Sequence, residues 1–301
     1  MVRLHLVDGT YELFRAHHSP RPGATSPDGR DVKATRGVLA SLVSLLTDED
    51  EAVTHLAVAF DNPITSFRND RFAGYKDGSG TDPALLAQFD LVEDAVAALG
   101  VVVWRCVEHE ADDALATAAV RFADEVDQVR ILTPDKDLGQ VVRGDRIVQV
   151  DRMRDRVLDE DGVLDRSGVP PTSVPDLLAL VGDSADGIPG LPGFGAKSAA
   201  AVLQAHPHLE DVPDDPGRWG AAVRGAPRLA ATLAAAREEA LLYRDLATLR
   251  TDVPLGATGG SVAAPALEDL RWRGPTDRFP DVCASLGDER LPDRAPVPRP
   301  G

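Results

Sequence analysis

Nine carboxylates, located in five parts of the chain, have the residue type and spacing to hold cations. Short apolar runs end at two of them, because LHLV precedes Asp8 and HLAVAF precedes Asp61. The others lie in three motifs, EADDALA, TPDKDL and GDSAD, and they are Glu110, Asp112, Asp113, Asp135, Asp137, Asp183 and Asp186. Gathered carboxylates repel one another, so such a set makes sense mainly with bound cations. Oxygen ligands without cysteine or suitably placed histidine favour Mg²⁺ or Mn²⁺ over Zn²⁺.

The acids of EADDALA also have a simpler interpretation. Acidic residues in the first turn of a helix cap it and complement its dipole. The TPDKDL motif weakens this alternative, since Asp135 and Asp137 follow an apolar run and unpaired buried charge is costly. Two or more cations about 4 Å apart activate water and stabilise the leaving oxygen at a phosphate. The carboxylate set therefore favours phosphodiester hydrolysis.

Strand-like and helix-like patterns alternate through the first half of the chain. Apolar runs precede Asp8, Asp61 and Asp135, and VVVWRCV forms a fourth strand-like run. Apolar periodicity predicts amphipathic helices at 34–46, 83–99 and 111–122. This alternation predicts an α/β fold with a mostly parallel sheet flanked by helices. Ligands gather at the carboxyl ends of parallel strands, so we expect the separated acids to meet at one edge.

A glycine-rich turn lies between two helical patterns in residues 176–206. Gly190 and Gly195 have the spacing of P-loop glycines, but Ala196 precedes Lys197 and a helical pattern replaces the required strand. We interpret the segment as a helix-hairpin-helix type turn, whose glycines let a phosphate approach backbone N–H groups. A plain tight turn is the alternative.

The charge balance restricts how this chain could bind nucleic acid. Its 301 residues carry 49 Asp+Glu against 32 Lys+Arg, a net charge of −17, and residues 81–175 hold 20 of the acids and 10 of the bases. A protein that coats DNA needs surplus Lys and Arg, so that class is excluded. Binding of DNA through a few fixed contacts and a metal-bridged phosphate is compatible with this net charge. We expect DNA binding to be weak and salt-sensitive when metal is absent.

Apolar runs, cysteines and two further segments predict where the protein is located and which parts of the chain have no role in the chemistry. No apolar run approaches the roughly 18 residues needed to cross a bilayer, and the N-terminus lacks a signal-peptide pattern. Cys106 and Cys283 are too few for a disulfide framework, so we expect a cytoplasmic protein. The run 48–51 is expected to be a solvated loop, and the chain after Thr251 to be loose. We interpret His17 and His18 as loop or substrate-proximal residues and not ligands.

The motifs together resemble the bacterial 5′–3′ exonucleases, the flap-endonuclease-type 5′-nuclease family that also supplies the N-terminal domain of many DNA polymerases I. The matching pieces are LVDGT, VAFDNPITSFRNDRFAGYK, EADDALA, ILTPDKDL and VGDSADGIPGLPGFGAKSA, in the family order over about residues 4–250. The resemblance implies a PIN-like core at 1–175 with a helical arch or clamp at about 65–95. It also implies a helix-three-turn-helix DNA-binding module at 176–250 and a C-terminal extension at 251–301 with a disordered tail.

The resemblance also implies roles for individual residues. All nine carboxylates fall on the family's metal-binding acids. Lys76 matches the family lysine that contacts the scissile phosphate, and Arg15 resembles a basic residue near the 5′ phosphate, so both are assigned catalytic roles. Arg68 matches a DNA-contacting arginine at the arch base, although ordinary surface arginines are the alternative for both arginines. The turn residues that match the family's duplex-phosphate contact, where K⁺ is often held, are Gly193, Gly195, Lys197 and Ser198.

Two stretches depart from the family pattern. The segment DGSGTDP follows Lys76 where the family commonly has more basic arch residues. Ala185 and Gly187 replace the usual Ser and Asn in the acidic turn. We expect an arch that holds a 5′ single strand less well, and a looser second metal site or turn.

The sequence therefore predicts a structure-selective 5′–3′ exonuclease or flap endonuclease that uses two or more Mg²⁺ or Mn²⁺ ions. It would cut DNA or RNA primers to leave a 5′ phosphate and a 3′ hydroxyl, in DNA replication and repair. The expected partner is DNA with 5′ ends, flaps or RNA primers, with no membrane, and the protein is expected to be a stand-alone monomer. The alternatives are a branched-DNA binding protein with weak nuclease activity and a PIN-type ribonuclease, against which the glycine turn argues.

Overall fold

The computed structural model describes residues 2–220, 222–256 and 265–298 of the chain. The helices in chain order are α1 (Gly9–His18), α2 (Lys33–Thr47), α3 (Phe67–Arg71), α4 (Pro83–Leu86), α5 (Phe89–Ala98), α6 (Ala111–Phe122), α7 (Glu160–Ser167), α8 (Val174–Val181), α9 (Ala196–Ala205), α10 (Ala226–Ala235), α11 (Arg237–Ala247) and α12 (Phe279–Ser285). The strands are β1 (Arg3–Asp8), β2 (His55–Asp61), β3 (Val102–Cys106), β4 (Gln128–Leu132), β5 (Ile147–Asp151) and β6 (Arg156–Leu158).

The chain divides into two compact units. The first unit consists of Met1–Ser66, Gly78–Thr133 and Thr251–Gly301, and the second of Phe67–Asp77 and Pro134–Arg250. Both units combine segments that are distant in sequence, so neither corresponds to one continuous stretch of chain.

Parallel strands form the centre of the first unit. β1 pairs with β2 on one side and β4 on the other, and β2 pairs with β3, all in parallel. Every residue of β2 is buried, as expected for a strand covered on both faces. The predicted α/β fold with a mostly parallel sheet is confirmed.

Helices of the first unit follow the predicted periodicity, with one difference. α2 and α6 confirm the helices predicted at 34–46 and 111–122, but the helix predicted at 83–99 divides into α4 and α5. The single-helix prediction is wrong because the chain forms a tighter turn there, in which the carbonyl oxygen of Leu85 accepts a hydrogen bond from the backbone N of Gln88 at 2.9 Å. Gln88 lies between the two helices and is buried. Its Oε1 accepts hydrogen bonds from the backbone N and the hydroxyl of Thr35, at 3.0 and 3.2 Å.

The C-terminal segment packs on the first unit. The backbone N of Trp272 donates to the carbonyl oxygen of Thr54 at 3.0 Å, and its indole Nε1 donates to the carbonyl oxygen of Leu99 at 2.9 Å. Phe279 and Cys283 are buried. The expectation of a loose chain is therefore wrong for this segment, whereas residues 257–264 and the last three of the predicted tail, 299–301, lie outside the described residues.

Glu51 corrects the prediction for the acidic run 48–51. Its carboxylate contacts His5 Nε2 at 2.9 Å and Arg130 Nε at 2.8 Å. Desolvation raises the pKa of Glu51, but the hydrogen bond from His5 and the charge of Arg130 outweigh it and bring the pKa to about 2. Asp48, Glu49 and Asp50 are exposed, as expected for a solvated loop, whereas Glu51 is half-buried and forms an ion pair beside the sheet.

The second unit is helical apart from one antiparallel pair, β5 with β6. Its core includes Trp219, Leu203 and Leu180. α8 and α9 flank the glycine turn, as the pattern predicts, and α10 and α11 follow, with Ala236 between them. The turn between α8 and α9 is thereby held at both ends.

Candidate active site

Two acids of the first unit lie where strands end. β1 ends at Asp8, which caps α1 by accepting a hydrogen bond from the backbone N of Tyr11 at 2.8 Å. β2 ends at Asp61, whose Oδ1 accepts from the backbone N of Ala111 at 2.7 Å. Both carboxylates are more than nine-tenths buried, so each of these strands ends at an acidic side chain in the interior.

Three more acids lie at the start of α6. Glu110 and Asp113 form a capping box, in which the Glu110 backbone N donates to Asp113 Oδ2 at 3.0 Å. The hydroxyl of Ser66 donates to Glu110 Oε1 at 2.7 Å. Glu110 and Asp113 are buried, whereas Asp112 is partly exposed. The capping interpretation is thus correct for Glu110 and Asp113, and because a carboxylate has about four lone-pair directions, capping does not exclude cation binding.

A nearby thiol shows that four of the first-unit acids lie close to one another. Burial raises the pKa of Cys106 well above its usual value, and the negative charges of Asp61, Asp113, Asp112 and Glu110 raise it further. We call this group the strand-end acids; its members are Asp8, Asp61, Glu110, Asp112 and Asp113.

The second unit holds its own acid group, the turn acids, whose members are Asp135, Asp137, Asp183 and Asp186. Ligand oxygens of Asp137, Asp183 and Asp186 all lie within 4.8 Å of one another. Burial raises the pKa of Asp137 well above its usual value, and the charges of Asp135, Asp186 and Asp183 raise it further. Among the described residues, nothing donates a hydrogen bond to Asp137 Oδ1, although that atom is buried.

Such an orphaned anionic oxygen fits a cation. A buried polar atom without a partner carries a desolvation cost, and neighbouring carboxylates add repulsion. A hard divalent ion with oxygen ligands would relieve both. The donor set of the turn acids therefore fits the kind of ion predicted from the sequence.

Two lysines contact the turn acids. Lys76 Nζ lies 3.0 Å from Asp186 Oδ1, and Lys136 Nζ lies 2.7 Å from Asp183 Oδ2. Desolvation lowers the pKa of Lys136, but its bond to Asp183 and the charges of Asp137 and Asp135 outweigh it and raise the pKa overall. Sequence reasoning named Lys76 and missed Lys136, whose position between two acids in TPDKDL was the available signal.

Gly187 closes the acidic turn. Its φ is +77°, and a Cβ there would lie 2.1 Å from the carbonyl oxygen of Gly74. The backbone N of Lys76 donates to the carbonyl oxygen of Asp186 at 3.0 Å beside this contact. In this chain, the close backbone approach requires glycine where the family usually has Asn.

The glycine turn before α9 leaves its polar groups accessible. Gly193 has φ +92°, a left-handed conformation that favours glycine, and Gly195 is the N-cap residue of α9. Ser198 caps the helix, because its hydroxyl accepts from the Gly195 backbone N at 3.0 Å. Lys197 is exposed. Sequence reasoning missed Arg228, whose Nη2 lies 3.1 Å from the position of a Cβ on Gly193.

Arg15 lines a basic cavity of the first unit. Arg15 contacts Glu12, and its Nη2 lies 3.4 Å from the hydroxyl of Ser41. The cavity measures about 540 Å³, and its charged lining residues are Arg15, Arg21, Lys33, Arg36 and Asp288. This concentration of positive charge contrasts with the acidic net charge of the chain.

Arg68 is placed differently from its prediction. Its side chain is fully buried, with 1% of the residue exposed, and its Nε donates to the carbonyl oxygen of Leu246 at 2.8 Å. Its Nη2 donates to the carbonyl oxygen of Thr248 at 3.2 Å. This burial contradicts a direct contact with DNA and gives Arg68 a structural role that joins α3 to the end of α11.

The structure therefore brings the predicted acids together in two groups, one within each unit. That all nine form one site stays a prediction. A parallel α/β unit with buried acids at its strand ends, and a helical unit with a glycine turn, are the elements that a structure-selective nuclease was predicted to need.

The chain belongs to the 5′–3′ exonuclease family. The family model described as the 5′–3′ exonuclease N-terminal resolvase-like domain matches residues 3–168, and that of the C-terminal SAM fold matches residues 169–275. A 5′–3′ exonuclease of Aquifex aeolicus is 31% identical over 276 residues, 91% of each chain. DNA polymerase I of Pseudomonas aeruginosa is 40% identical over 262 residues, which cover 84% of this chain and 28% of the polymerase. The chain thus spans about a quarter to a third of the curated polymerases that it matches.

Solved structures support the same fold. A zinc-bound T5 5′-exonuclease superposes with a TM-score of 0.66 at 18% identity, covering 97% of both chains. The catalytic core of Rad2, in complex with a DNA substrate, superposes with a TM-score of 0.54 at 16% identity, covering 95% of this chain and 91% of that one. With the family established, the protein is a nuclease. None of its described helices is long and apolar enough to cross a membrane.

Proposed function

We propose that this protein is a divalent-metal-dependent 5′–3′ exonuclease and flap endonuclease that hydrolyses DNA or RNA-primer phosphodiesters. Its products would carry a 5′ phosphate and a 3′ hydroxyl, and its work would belong to DNA replication and repair in the cytoplasm. The proposed partner is DNA with 5′ ends, flaps or RNA primers, bound by a monomer. The proposal divides the chain into a nuclease core at 1–175 with the arch at about 65–95, a DNA-binding module at 176–250 and an extension at 251–301.

The observation that carries the proposal is the buried Asp137 oxygen within a close group of carboxylates. Asp137, Asp183 and Asp186 would hold one Mg²⁺ or Mn²⁺ ion, and the strand-end acids would hold at least one more. The ions, when bound, activate water and stabilise charge on the phosphate. The protein's own contribution is to fix these carboxylates in the interior before substrate arrives.

Lys76 and Arg15 would orient the phosphate. Lys76 already lies beside the turn acids, at 3.0 Å from Asp186, where its ammonium can stabilise developing negative charge. Arg15 would act from the basic cavity, where Arg21, Lys33 and Arg36 add positive charge that favours a terminal phosphate.

The turn before α9 would grip the phosphates of duplex DNA. Gly193 and Gly195 expose backbone at the start of the helix, Lys197 adds an exposed charge and Ser198 fixes the helix end. A K⁺ ion held at this turn belongs to the same proposal.

The test is cleavage of labelled single-flap, double-flap, nicked and gapped DNA by the purified chain in Mg²⁺ and in Mn²⁺. We expect cleavage of flaps, with products that DNA ligase joins without prior phosphorylation. Asp112→Ala should abolish cleavage while leaving the circular dichroism spectrum unchanged, and Asp281→Ala is the matched control because Asp281 is an exposed acid on α12, outside the arch and both acid groups. An Asp112→Ala protein as active as the wild type would refute the metal assignment.

The same substrates distinguish the alternatives. A band shift in Ca²⁺ without turnover in Mn²⁺ would indicate a branched-DNA binding protein. Cleavage of RNA flaps alone, with matched DNA flaps intact, would indicate a ribonuclease. The accessible glycine turn and Lys197 favour a protein that contacts duplex phosphates over a ribonuclease.

A further inference from the structure

A buried threonine hydroxyl contacts one of the strand-end acids. Thr133 directly follows β4 and is 1% exposed. Its Oγ1 donates a hydrogen bond to Asp8 Oδ2 at 2.9 Å. The other oxygen, Asp8 Oδ1, accepts from the backbone N of Tyr11 at 2.8 Å. Each oxygen of Asp8 therefore has its own fixed donor, one from the following helix and one from a neighbouring strand end.

This arrangement fixes the plane of the carboxylate. Rotation about the Asp8 side chain would break at least one of the two hydrogen bonds, and the two donors lie in α1 and directly after β4, within the same unit. An ionised carboxylate oxygen can accept a hydrogen bond and also bind a cation, because it has more than one lone-pair direction. A hydroxyl donor can thus orient the carboxylate and still be compatible with a bound cation.

We propose that Thr133 is a positioning residue that pre-orients Asp8 for a divalent cation. This inference rests on the proposed function, because it assumes that Asp8 binds metal. Groups that hydrogen-bond to metal ligands typically set metal affinity by about 10–100-fold when they are removed. Threonine suits the position because its single hydroxyl donates to an anion, which valine, its equal in shape, cannot do.

A second hydroxyl does the same for another strand-end acid. Ser66, after β2, is 9% exposed, and its Oγ donates to Glu110 Oε1 at 2.7 Å. Neutral hydroxyls orient these carboxylates without adding positive charge that would compete with a cation. Ser66 is therefore a second positioning residue of the same kind.

The test measures Mn²⁺ binding to the full chain, with the electron paramagnetic resonance signal of free Mn²⁺ as the readout. We expect Thr133→Val to weaken Mn²⁺ binding roughly tenfold and Thr133→Ser, which keeps the hydroxyl, to remain within about twofold of the wild type. Raising the Mn²⁺ concentration should restore flap cleavage by Thr133→Val, because the ligands themselves remain. The matched control is Thr35→Val, since Thr35 is buried in the same unit and its hydroxyl donates to Gln88 and to no acid.

The outcomes separate this inference from the proposed function. A wild-type chain that binds no Mn²⁺ would refute the proposed metal dependence itself. A wild type that binds Mn²⁺ while Thr133→Val binds it equally well would overturn the role of Thr133 alone. An equal loss of affinity in Thr35→Val would mean general destabilisation and would also overturn it. If Thr133→Val does not fold, Thr133→Ser and Ser66→Ala answer the same question with smaller changes in packing.

Discussion

The strand-end acids and the turn acids contain similar residues but are held in different ways. In the first unit, Asp8, Asp61 and Glu110 accept hydrogen bonds from neutral donors. In the second unit, Asp183 and Asp186 contact lysines, and a buried oxygen of Asp137 has no donor among the described residues. Neutral donors stabilise a charge locally, whereas crowded carboxylates with one unsatisfied oxygen store repulsion. The strand-end acids thus contribute to their unit's stability, while Asp137 opposes that of its own.

The largest expected effect is on catalysis, and it is the same in both groups. Asp8→Ala and Asp137→Asn should each reduce flap cleavage by roughly 100-fold or more, because a lost metal ligand removes several kcal/mol of transition-state stabilisation. Steady-state cleavage of a 5′-flap substrate in Mg²⁺ measures this. Asp281→Asn, at an exposed acid on α12, is the control and should cleave normally. Normal cleavage by either variant would remove that group from the active site.

The next largest effect is on the free energy of unfolding, and it should have opposite signs in the two acid groups. Asp8→Ala should lower the free energy of unfolding by about 1–2 kcal/mol, because Asp8 caps α1. Asp137→Asn should raise it, because an amide removes a buried charge that neighbouring carboxylates repel. Urea unfolding in EDTA at neutral pH measures both. Destabilisation by Asp137→Asn would contradict the proposed repulsion.

The pH dependence of stability should also have opposite signs for Glu51 and Asp137. The pKa of Glu51 falls to about 2 in the folded protein, so its contribution is present above its ordinary pKa of 4.5 and is lost as pH falls toward 2. The pKa of Asp137 is raised instead, so its unfavourable contribution grows as pH rises above its ordinary 3.8.

Thermal unfolding in EDTA from pH 2.5 to 7.5 tests this opposition. Glu51→Gln should be less stable than the wild type at pH 7, by about 1–3 kcal/mol, and should approach it at low pH. Asp137→Asn should be more stable at pH 7 and should also approach the wild type at low pH. If the curves of stability against pH are parallel for the wild type and one of the variants, the pKa shift of the residue replaced in that variant is refuted.

The smallest expected effect lies outside both acid groups. Lys197→Gln should weaken binding to duplex DNA modestly and reduce the slope of log affinity against log salt by about 1, because one phosphate contact is lost. Fluorescence anisotropy with a labelled duplex in Ca²⁺ measures this. Arg278→Gln is the control, since Arg278 is an exposed cation that pairs with Asp94. An unchanged salt slope in Lys197→Gln would remove Lys197 from the phosphate contact.

Much of the fold could be predicted from local patterns. Apolar runs that end in aspartate identified β1 and β2, and the periodicity at 111–122 identified α6, because these features depend on neighbouring residues alone. The same patterns did not detect the break between α4 and α5. That break is a tighter turn at Gln88, whose buried side chain contacts Thr35, 53 residues away in sequence.

For the candidate site, the motifs were sufficient to predict the kinds of ligand, their order and the family, since ordered motifs carry that information directly. How each ligand is held depends on the folded chain. The tertiary structure placed Thr133 against Asp8, Lys136 against Asp183 and Arg68 in the interior, and it made Glu51 an ion partner beside the sheet. These outcomes depend on burial and on contacts between residues far apart in the chain, and the charge of a side chain does not specify its partner until the chain has folded.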